Sequence, residues 1–256
     1  MNWLEYLIYG FISGLSEFLP ISSSAHQFVM RGLFGISGRS ALHDLMIHLA
    51  GLASFILLYR YITTGNRRTF TRADKRHLKT AMVPIIIGAV FYPIVGSWNI
   101  GYSMLSVFLV LNGLILFIPS RMINGNKTAS ALSGLDSILI GASAALGAVP
   151  GISRMAGTLS CASARGANHN NALRWSVYFS IPAVAIMIIM DIISLGAATA
   201  YSVHFLGLIL SMLGVMLGIW LGYSLMRFLA VKAGFTVFAY YSWGAALFSF
   251  ILYLLV

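Results

Sequence analysis

The sequence predicts an all-α integral membrane protein with six transmembrane helices and two re-entrant helical hairpins, arranged as an inverted-topology repeat. Three observations support this prediction. Hydrophobic residues make up 59 % of the 256 residues and charged residues only 9 %, which is too little charge for the surface of a water-soluble domain. Uncharged runs recur at the length needed to cross about 30 Å of hydrocarbon. Two polar segments that contain proline and glycine interrupt this apolar pattern.

The six predicted spans each contain close to the roughly 20 residues that a membrane-spanning helix needs. They cover residues 41–60, 80–97, 103–120, 172–192, 204–223 and 236–256. Since Cys161 is the sole cysteine, the sequence excludes an internal disulfide bond and a cysteine-rich metal site.

Two segments, residues 3–34 and 135–164, do not fit a continuous spanning helix. They are interrupted by GLSEFLPISSSAH at 14–26 and by GAVPGISRMAG at 147–157. Proline, glycine and clustered serine break helices, and irregular backbone is tolerated at membrane depth only inside protein or beside a cavity. We therefore interpret both segments as re-entrant hairpins.

The two interrupted segments align when the chain is compared with itself at an offset of 131 residues. This offset pairs Gly10 with Gly141, Ile21-Ser22 with Ile152-Ser153, Ala25 with Ala156, and Ala41-Leu42 with Ala172-Leu173. We expect one membrane domain over 1–256, with repeat one at about 1–125 and repeat two at about 132–256. Three spans in each repeat force the second copy to enter the membrane from the opposite side.

The basic residues predict the orientation of the chain. If loop 61–79 is cytoplasmic, loops 120–134, 165–171 and 224–235 lie on the same side, together with all of the sixteen Lys and Arg residues except Arg31, Arg39 and Arg154. This arrangement satisfies the positive-inside rule and predicts that both termini are external. The net charge of +10 then reflects topology and contact with membrane lipids, and no nucleic-acid partner is expected.

Two ionisable residues, Glu17 and Arg154, fall within the interrupted segments. A charge at the bilayer centre costs about 3 kcal/mol or more unless it is paired or hydrated. Because the repeat brings the two segments face to face, we expect Glu17 and Arg154 to be neighbours. The alternative is a purely structural ion pair, although buried pairs contribute little to stability.

Hydroxyl and imidazole groups accompany these charges. They are Ser22, Ser23, Ser24 and His26 in the first segment, and Ser153 and Thr158 in the second. Arginine binds phosphate oxygens through two parallel hydrogen bonds, and broken helices expose N-termini that favour anions, so the set indicates phosphate binding. Close packing of small residues is the alternative for the serines. His43 and His48 are not expected to bind a metal, because their spacing does not place both rings on one helical face.

These motifs resemble those of a known family. GLSEFLPISSSAH is similar to the first signature of the bacterial undecaprenyl-pyrophosphate phosphatases, the bacitracin-resistance family, and PGISR resembles the core of the second. The resemblance extends over nearly the whole chain. It implies a multi-pass enzyme of the bacterial plasma (inner) membrane that converts undecaprenyl diphosphate to undecaprenyl phosphate and phosphate. This reaction recycles the lipid carrier for the cell wall, in a site that opens to the external leaflet.

The resemblance also implies roles for individual residues. Glu17 would be a signature acid and cation ligand, Ser23 the nucleophile or a phosphate contact, His26 the essential histidine and Arg154 the phosphate clamp. Ser22, Ser24, Ser153 and Thr158 would contact the substrate, and activity would require a divalent cation, Mg²⁺ or Ca²⁺. Whether Ser23 or a water attacks, and whether His26 or Glu17 carries the proton, stays open.

The chain departs from the family pattern at two places. Ser13 stands where the family usually carries an acid or amide one turn before Glu17, and Met155-Ala156 replace Ser-Gly after the arginine. These changes leave an alternative function open. Inverted repeats with broken helices at mid-membrane are typical of carriers, so the chain could be a polyprenyl-phosphate transporter or flippase without hydrolysis. The sequence does not indicate an oligomeric state.

Overall fold

The computed structural model describes residues 2–36, 40–65, 72–90, 100–120, 125–128, 131–196 and 204–255, with the single residues 95 and 98. This part of the chain contains ten α-helices and no β-strand. The helices are α1 (Trp3–Phe18), α2 (Ser23–Leu33), α3 (Ala41–Gly65), α4 (Arg72–Val90), α5 (Tyr102–Ser120), α6 (Gly134–Ala145), α7 (Arg154–Ala164), α8 (His169–Gly196), α9 (Phe205–Ala233) and α10 (Thr236–Leu255). A short 3₁₀ turn, Leu146–Ala148, follows α6.

Four helices of the described part are long and apolar enough to cross a membrane. They are Ala41–Ile62, His169–Gly196, Phe205–Leu229 and Thr236–Leu255. Helix α5 is apolar over Tyr102–Ile118 but shorter, and α4 begins at Arg72 with a basic turn before its apolar part. The protein is therefore an all-helical, multi-pass membrane protein, whereas the count of six spans with two re-entrant hairpins stays a prediction.

The distribution of polar and apolar side chains suits a lipid environment. Large apolar residues face outward, and Ile193 and Leu217 are each 62 % exposed. Small polar residues lie inside, since Ser54, Asn112 and Ser180 are at most 1 % exposed. This arrangement reverses that of a soluble protein, whose outer surface is largely polar and charged.

The helix breaks fall within the two segments where the sequence predicts them. Between α1 and α2 the chain turns at Pro20, which has no amide hydrogen to continue the helix, and Ser22 has a φ of +70°. Between α6 and α7 it passes through Pro150 to Gly151, whose φ of +96° suits a residue without a Cβ atom. Because α2 packs on α1 and α7 packs on α6, each break folds its two helices into a hairpin.

Helices of the second half follow the order of the first half at the offset of 131 residues, and α2 and α7 correspond at both ends. The packing contacts between helices follow the same correspondence. Helix α1 packs on α9, and α6 and α4, their counterparts in the other half, pack on each other. Helix α3 packs on its counterpart α8, and α5 packs on its counterpart α10. The boundaries at about 125 and 132 stay a prediction.

Glycines bring α1 and α9 into close contact. A Cβ atom at Gly10 would lie 2.1 Å from the carbonyl oxygen of Ser211, and one at Gly214 would lie 2.5 Å from that of Leu7. Small residues allow membrane helices to approach this closely. The close packing of α1 on α9 fixes the position of the first break, which immediately follows α1.

Charged residues link two loops at the end of the bundle where α6 begins. The Asp136 carboxylate accepts a hydrogen bond from Arg165 at 2.5 Å and lies 3.4 Å from Lys127. The backbone of Lys127 also bridges to Ala167. The segments that contain Lys127 and Arg165 therefore lie side by side.

Candidate active site

The two helix breaks meet through an ion pair. Glu17 lies in the last turn of α1 and Arg154 is the first residue of α7. One guanidinium nitrogen of Arg154, Nη2, lies 2.6 Å from Glu17 Oε1, and the two side chains are only 8 % and 16 % exposed. The proximity expected from the sequence is therefore observed, and each charge has a partner of opposite sign.

Ser23 contacts the same carboxylate. It is the first residue of α2, and its hydroxyl donates a hydrogen bond to Glu17 Oε2. Glu17 thus accepts a guanidinium on one oxygen and a hydroxyl on the other. A carboxylate within hydrogen-bond reach of a hydroxyl is the arrangement in which a base can activate a nucleophile.

The guanidinium of Arg154 retains a donor for a substrate. Its Nε donates to the Ser180 hydroxyl at 3.3 Å. Among the described residues, the only hydrogen-bond partner of its Nη1 is the Met187 sulfur, at 3.7 Å. Thioether sulfur is a weak acceptor, so a phosphate oxygen can replace it readily. The guanidinium carbon lies over the Phe55 ring, 5.7 Å from the ring centre, in a cation–π contact.

Hydrogen bonds join the backbones of the two breaks. The Gly151 amide donates to Ser24 Oγ at 3.3 Å. Asn112 on α5 contacts both breaks, since its Nδ2 donates to the Pro20 carbonyl at 3.0 Å and its Oδ1 accepts from the Ser153 amide at 2.8 Å. The breaks therefore form one unit whose geometry depends on a residue outside both motifs.

The ion pair lies at the polar end of a cavity with an empty volume of about 1060 Å³, including the space at its mouth. The polar end contains Ser16, Glu17, Ser23, Ser24, Gln27, Asp44, His48, Ser153 and Arg154. The remaining wall is mainly apolar and is formed by α4, α6, α8 and the second break. Its lining includes Ile85, Ala144, Ala183, Ile186, Met187 and Met190. The cavity can therefore hold a charged group and an apolar chain together.

Five of the predicted site residues line this cavity: Glu17, Ser23, Ser24, Ser153 and Arg154. Ser22 instead accepts the Ala25 amide and caps α2. Thr158 donates to backbone carbonyls of its own helix.

His26 is also absent from the described cavity lining. Its Nδ1 lies 2.8 Å from the Ser22 carbonyl oxygen and its Nε2 lies 2.7 Å from the Tyr241 hydroxyl. Its ring stacks on that of Tyr241, at 5.7 Å between the ring centres. The imidazole thus contacts the helix break and α10. Its role in the reaction stays a prediction.

Comparison with known proteins identifies the family. The family model described as bacitracin resistance protein BacA matches residues 6–248. The chain belongs to the BacA family. It is 28 % identical over 246 residues to an undecaprenyl-diphosphatase of Carboxydothermus hydrogenoformans, covering 95 % of this chain and 94 % of the relative. It is 30 % identical over 269 residues to undecaprenyl-diphosphatase 1 of Shouchella clausii, covering 98 % and 96 %.

Four polar residues that line the cavity were not among the predicted site residues: Ser16, Gln27, Asp44 and His48. The rings of His43 and His48 do point to different partners, Ser211 and Asp191, as their spacing predicts. The spacing predicts only whether the two rings can share a metal and does not indicate what else each ring contacts. A usable signal was Asp191, an acid inside the predicted span 172–192, which needs a partner at that depth.

The predicted cation ligand of the BacA family site, Glu17, already accepts hydrogen bonds on both oxygens. Among the residues that the structure describes, no three His, Cys, Asp or Glu side chains are grouped to hold a metal ion. Asp44 is the second carboxylate in the described cavity lining. Since Mg²⁺ and Ca²⁺ take six or more oxygen ligands, these residues fit a cation only if the substrate and water supply most of the oxygens.

Proposed function

We propose that this BacA family member is an undecaprenyl-diphosphatase. It removes the terminal phosphate of an isoprenoid lipid diphosphate and thereby recycles the lipid carrier for peptidoglycan and other wall polymers. The names of the relatives support hydrolysis, and neither favours the alternative of transport without hydrolysis. Family membership covers both interrupted segments, because the match runs from residue 6 to residue 248.

One structural observation supports this proposal most directly. Ser23 and Arg154 bind the two oxygens of Glu17 at the polar end of a cavity whose other wall is apolar. Arginine suits phosphate oxygens, and the apolar wall suits an isoprenoid chain. A site for a phosphate without a lipid tail would not need that wall.

We propose that Ser23 attacks and Glu17 carries the proton. The terminal phosphate displaces Glu17 from Arg154, and the Ser23 hydroxyl gives its proton to Glu17 as its oxygen bonds to phosphorus. The bond from phosphorus to the bridging oxygen breaks, and undecaprenyl phosphate leaves with the proton from Glu17. Water then attacks the seryl phosphate, gives a proton to Glu17 and releases phosphate, and Glu17 returns that proton to Ser23. Arg154 stabilises the charge on the phosphoryl oxygens in both steps.

The contacts of His26 favour a supporting role in this scheme. It bonds to the carbonyl of Ser22, the residue that caps α2 immediately before Ser23. We propose that His26 and Tyr241 hold this cap and so orient the Ser23 hydroxyl. Glu17, and not His26, is then the group that accepts the proton.

We propose that a divalent cation, Mg²⁺ or Ca²⁺, binds together with the substrate. Glu17 and Asp44 are the cavity carboxylates that would hold it, together with diphosphate oxygens and water. When bound, the cation would supply neutralisation of the diphosphate charge.

The decisive experiment is a phosphate-release assay. Purified protein in detergent is given undecaprenyl diphosphate or a shorter isoprenoid diphosphate with Mg²⁺, Ca²⁺ or EDTA. We expect released phosphate with at least one cation and little or none with EDTA. Measurable lipid binding without turnover under every cation would contradict hydrolysis and favour transport.

We also propose the finer topology: six spans and two re-entrant hairpins in the bacterial plasma membrane, with a site that opens to the external leaflet. Support comes from the repeated helix order, the exchanged packing partners and the adjacent basic loops. Loop 61–79 is then cytoplasmic and both termini are external.

Cysteine labelling tests this topology in a Cys161→Ser background, since Cys161 is the sole native cysteine. A cysteine introduced by Asn66→Cys should resist an impermeant reagent in intact cells and react after permeabilisation. One introduced by Asn2→Cys should react in intact cells. Reaction of the Asn66→Cys protein in intact cells would overturn the orientation.

A further inference from the structure

A second charged pair borders the cavity and joins α3 to α8. The Nδ1 atom of His48 lies 2.5 Å from Asp191 Oδ2, and the two side chains are 11 % and 8 % exposed. His48 lines the main cavity and also a small recess behind Glu17, which it shares with Ser13 and Gln27. Neither His48 nor Asp191 has a part in the reaction proposed above.

The other ring nitrogen of His48 is available to a ligand. Its Nε2 makes no hydrogen bond to any described residue, and this nitrogen is not fully buried. Because Nδ1 is occupied by Asp191, the ring cannot turn without breaking a short contact. Asp191 therefore fixes the direction in which Nε2 points.

Charge complementarity indicates what this nitrogen would bind. A carboxylate as buried as Asp191 is stabilised by a cationic partner, so we take His48 to be protonated, with a hydrogen on Nε2. In the described lining, two carboxylates, Glu17 and Asp44, face the cavity beside a single arginine, Arg154. A diphosphate that enters this site needs a further cationic donor, and His48 is the described lining residue that can provide it.

We propose that His48 is a further substrate-contacting residue, whose Nε2–H donates to a diphosphate oxygen, and that Asp191 is the residue that positions its ring. This inference rests on the proposed diphosphatase function and adds to it a second cationic group, beside Arg154, that contacts the substrate. Arg154 approaches the substrate from the second break, and His48 approaches from α3. The two donors thus come from different elements around Glu17.

The test compares His48→Ala and His48→Gln with His43→Ala as the matched control. His43 lies on the same helix and is similarly buried, at 8 % exposed against 9 % for His48, but it bonds to Ser211 and lies outside the described cavity lining. We expect His48→Ala to lower kcat/KM by on the order of tenfold to a hundredfold, the range for a hydrogen bond to a charged group. Glutamine, whose amide can donate but carries no charge, should lose less than alanine does, and His43→Ala should stay within about threefold of wild type.

Asp191→Asn separates positioning from packing. If Asp191 acts through the His48 ring, this change should lower kcat/KM by about tenfold in the wild-type background and much less in the His48→Gln background. A packing role would give equal losses in both backgrounds and would overturn the assignment of Asp191. Thermal unfolding in detergent is recorded for every variant. If His48→Ala does not fold, His48→Gln decides, and a folded His48→Gln protein with wild-type kcat/KM and wild-type diphosphate affinity overturns the proposal.

Binding separates this inference from the proposed function. A short isoprenoid diphosphate is titrated into wild type and each variant, and its dissociation constant is compared with that for the matching monophosphate. We expect His48→Ala to weaken diphosphate binding by about tenfold while His43→Ala does not. If wild type binds the diphosphate without releasing phosphate, hydrolysis is wrong and the His48 contact is still tested. If wild type hydrolyses it and His48→Ala changes neither binding nor turnover, the inference alone is wrong.

Discussion

The two helix breaks share a backbone design and differ in chemistry. Ser22 and Ser153 cap α2 and α7, and the residues that follow them, Ser23 and Arg154, are both the first residue of a helix. These equivalent residues contact the two oxygens of one acid, Glu17. The counterpart of Glu17 in the second break, Ala148, has no acidic group.

This difference shows how two similar helix breaks can form a site that is not symmetric. The breaks supply the N-termini of α2 and α7, and a helix N-terminus favours an anion. Phosphoryl transfer then needs different groups at the two positions, because one must carry the reacting oxygen or proton and the other must stabilise charge. A serine at both positions or an arginine at both positions would provide only one of these functions.

Removing the reacting group from the first break should have the largest effect. We expect Ser23→Ala to lower kcat by about a thousandfold or more if the Ser23 oxygen attacks phosphorus. Released phosphate is measured under saturating lipid diphosphate. Ser54→Ala is the control, because Ser54 is a buried serine whose hydroxyl donates to the Ala50 carbonyl of its own helix. A loss of about tenfold at Ser23 would instead assign the attack to a water.

Changing the geometry of the second break should have the next largest effect. Arg154→Lys keeps a positive charge but removes the planar group that contacts Glu17 and Ser180 together. We expect a loss of about a hundredfold in kcat/KM, because a lysine cannot form the same paired hydrogen bonds to a phosphate. Arg227→Lys, on α9 next to Tyr223, should leave turnover within about threefold. Full activity of the Arg154→Lys protein would show that charge alone suffices.

How much of this site the sequence could predict depends on the type of signal. An ionisable residue in an apolar segment is conspicuous, so Glu17 and Arg154 could be found and paired from the cost of burying charge. The breaks were visible because proline and glycine stop helices. The position of His48 in the cavity lining and the contact of His26 with Tyr241 were not visible. A residue's number on a helix does not fix which neighbour packs against each face.

Asn112 shows the same limit more clearly. It occupies the middle of the predicted span 103–120, and an amide there needs partners, but the sequence does not say which ones. In the structure it bonds to the Pro20 carbonyl and the Ser153 amide. Contacts between elements that are about 40 to 90 residues apart require the assembled bundle. The fold class could therefore be predicted more completely than the contacts that hold the site residues in place.

Substitution of Asn112 tests whether this residue holds the two breaks together. We expect Asn112→Ala to lower kcat/KM by about tenfold and to reduce stability by about 1–3 kcal/mol, since the Pro20 carbonyl and the Ser153 amide lose a buried partner. Phosphate release and thermal unfolding in detergent measure these effects. Ser242→Ala, which removes only the third partner of the Asn112 amide, should have a smaller effect. Wild-type turnover in Asn112→Ala would mean that the breaks are held together by other contacts.

The smallest expected effect concerns Ser13, one turn before Glu17, where the resemblance to the family leads us to expect an acid or amide. Ser13 is 1 % exposed, its hydroxyl has no described hydrogen-bond partner, and it borders the recess shared by Glu17, Gln27 and His48. We expect Ser13→Glu to tighten the dependence on Mg²⁺ or Ca²⁺ and to leave turnover unchanged or up to about threefold higher, because two carboxylates on one helical face can share a cation.

Phosphate release against free cation concentration measures this change, with Ser13→Gln as the control of similar size and no charge. The competing outcome is repulsion, since a second carboxylate beside Glu17 is unfavourable when no cation joins the two. Ser13→Gln should leave the cation dependence unchanged, which separates the effect of charge from that of filling the recess. If Ser13→Glu abolishes activity and lipid binding in a folded protein while Ser13→Gln does not, the first break is not arranged around a cation at this position. The interpretation of Ser13 as a weakened metal site would then be wrong.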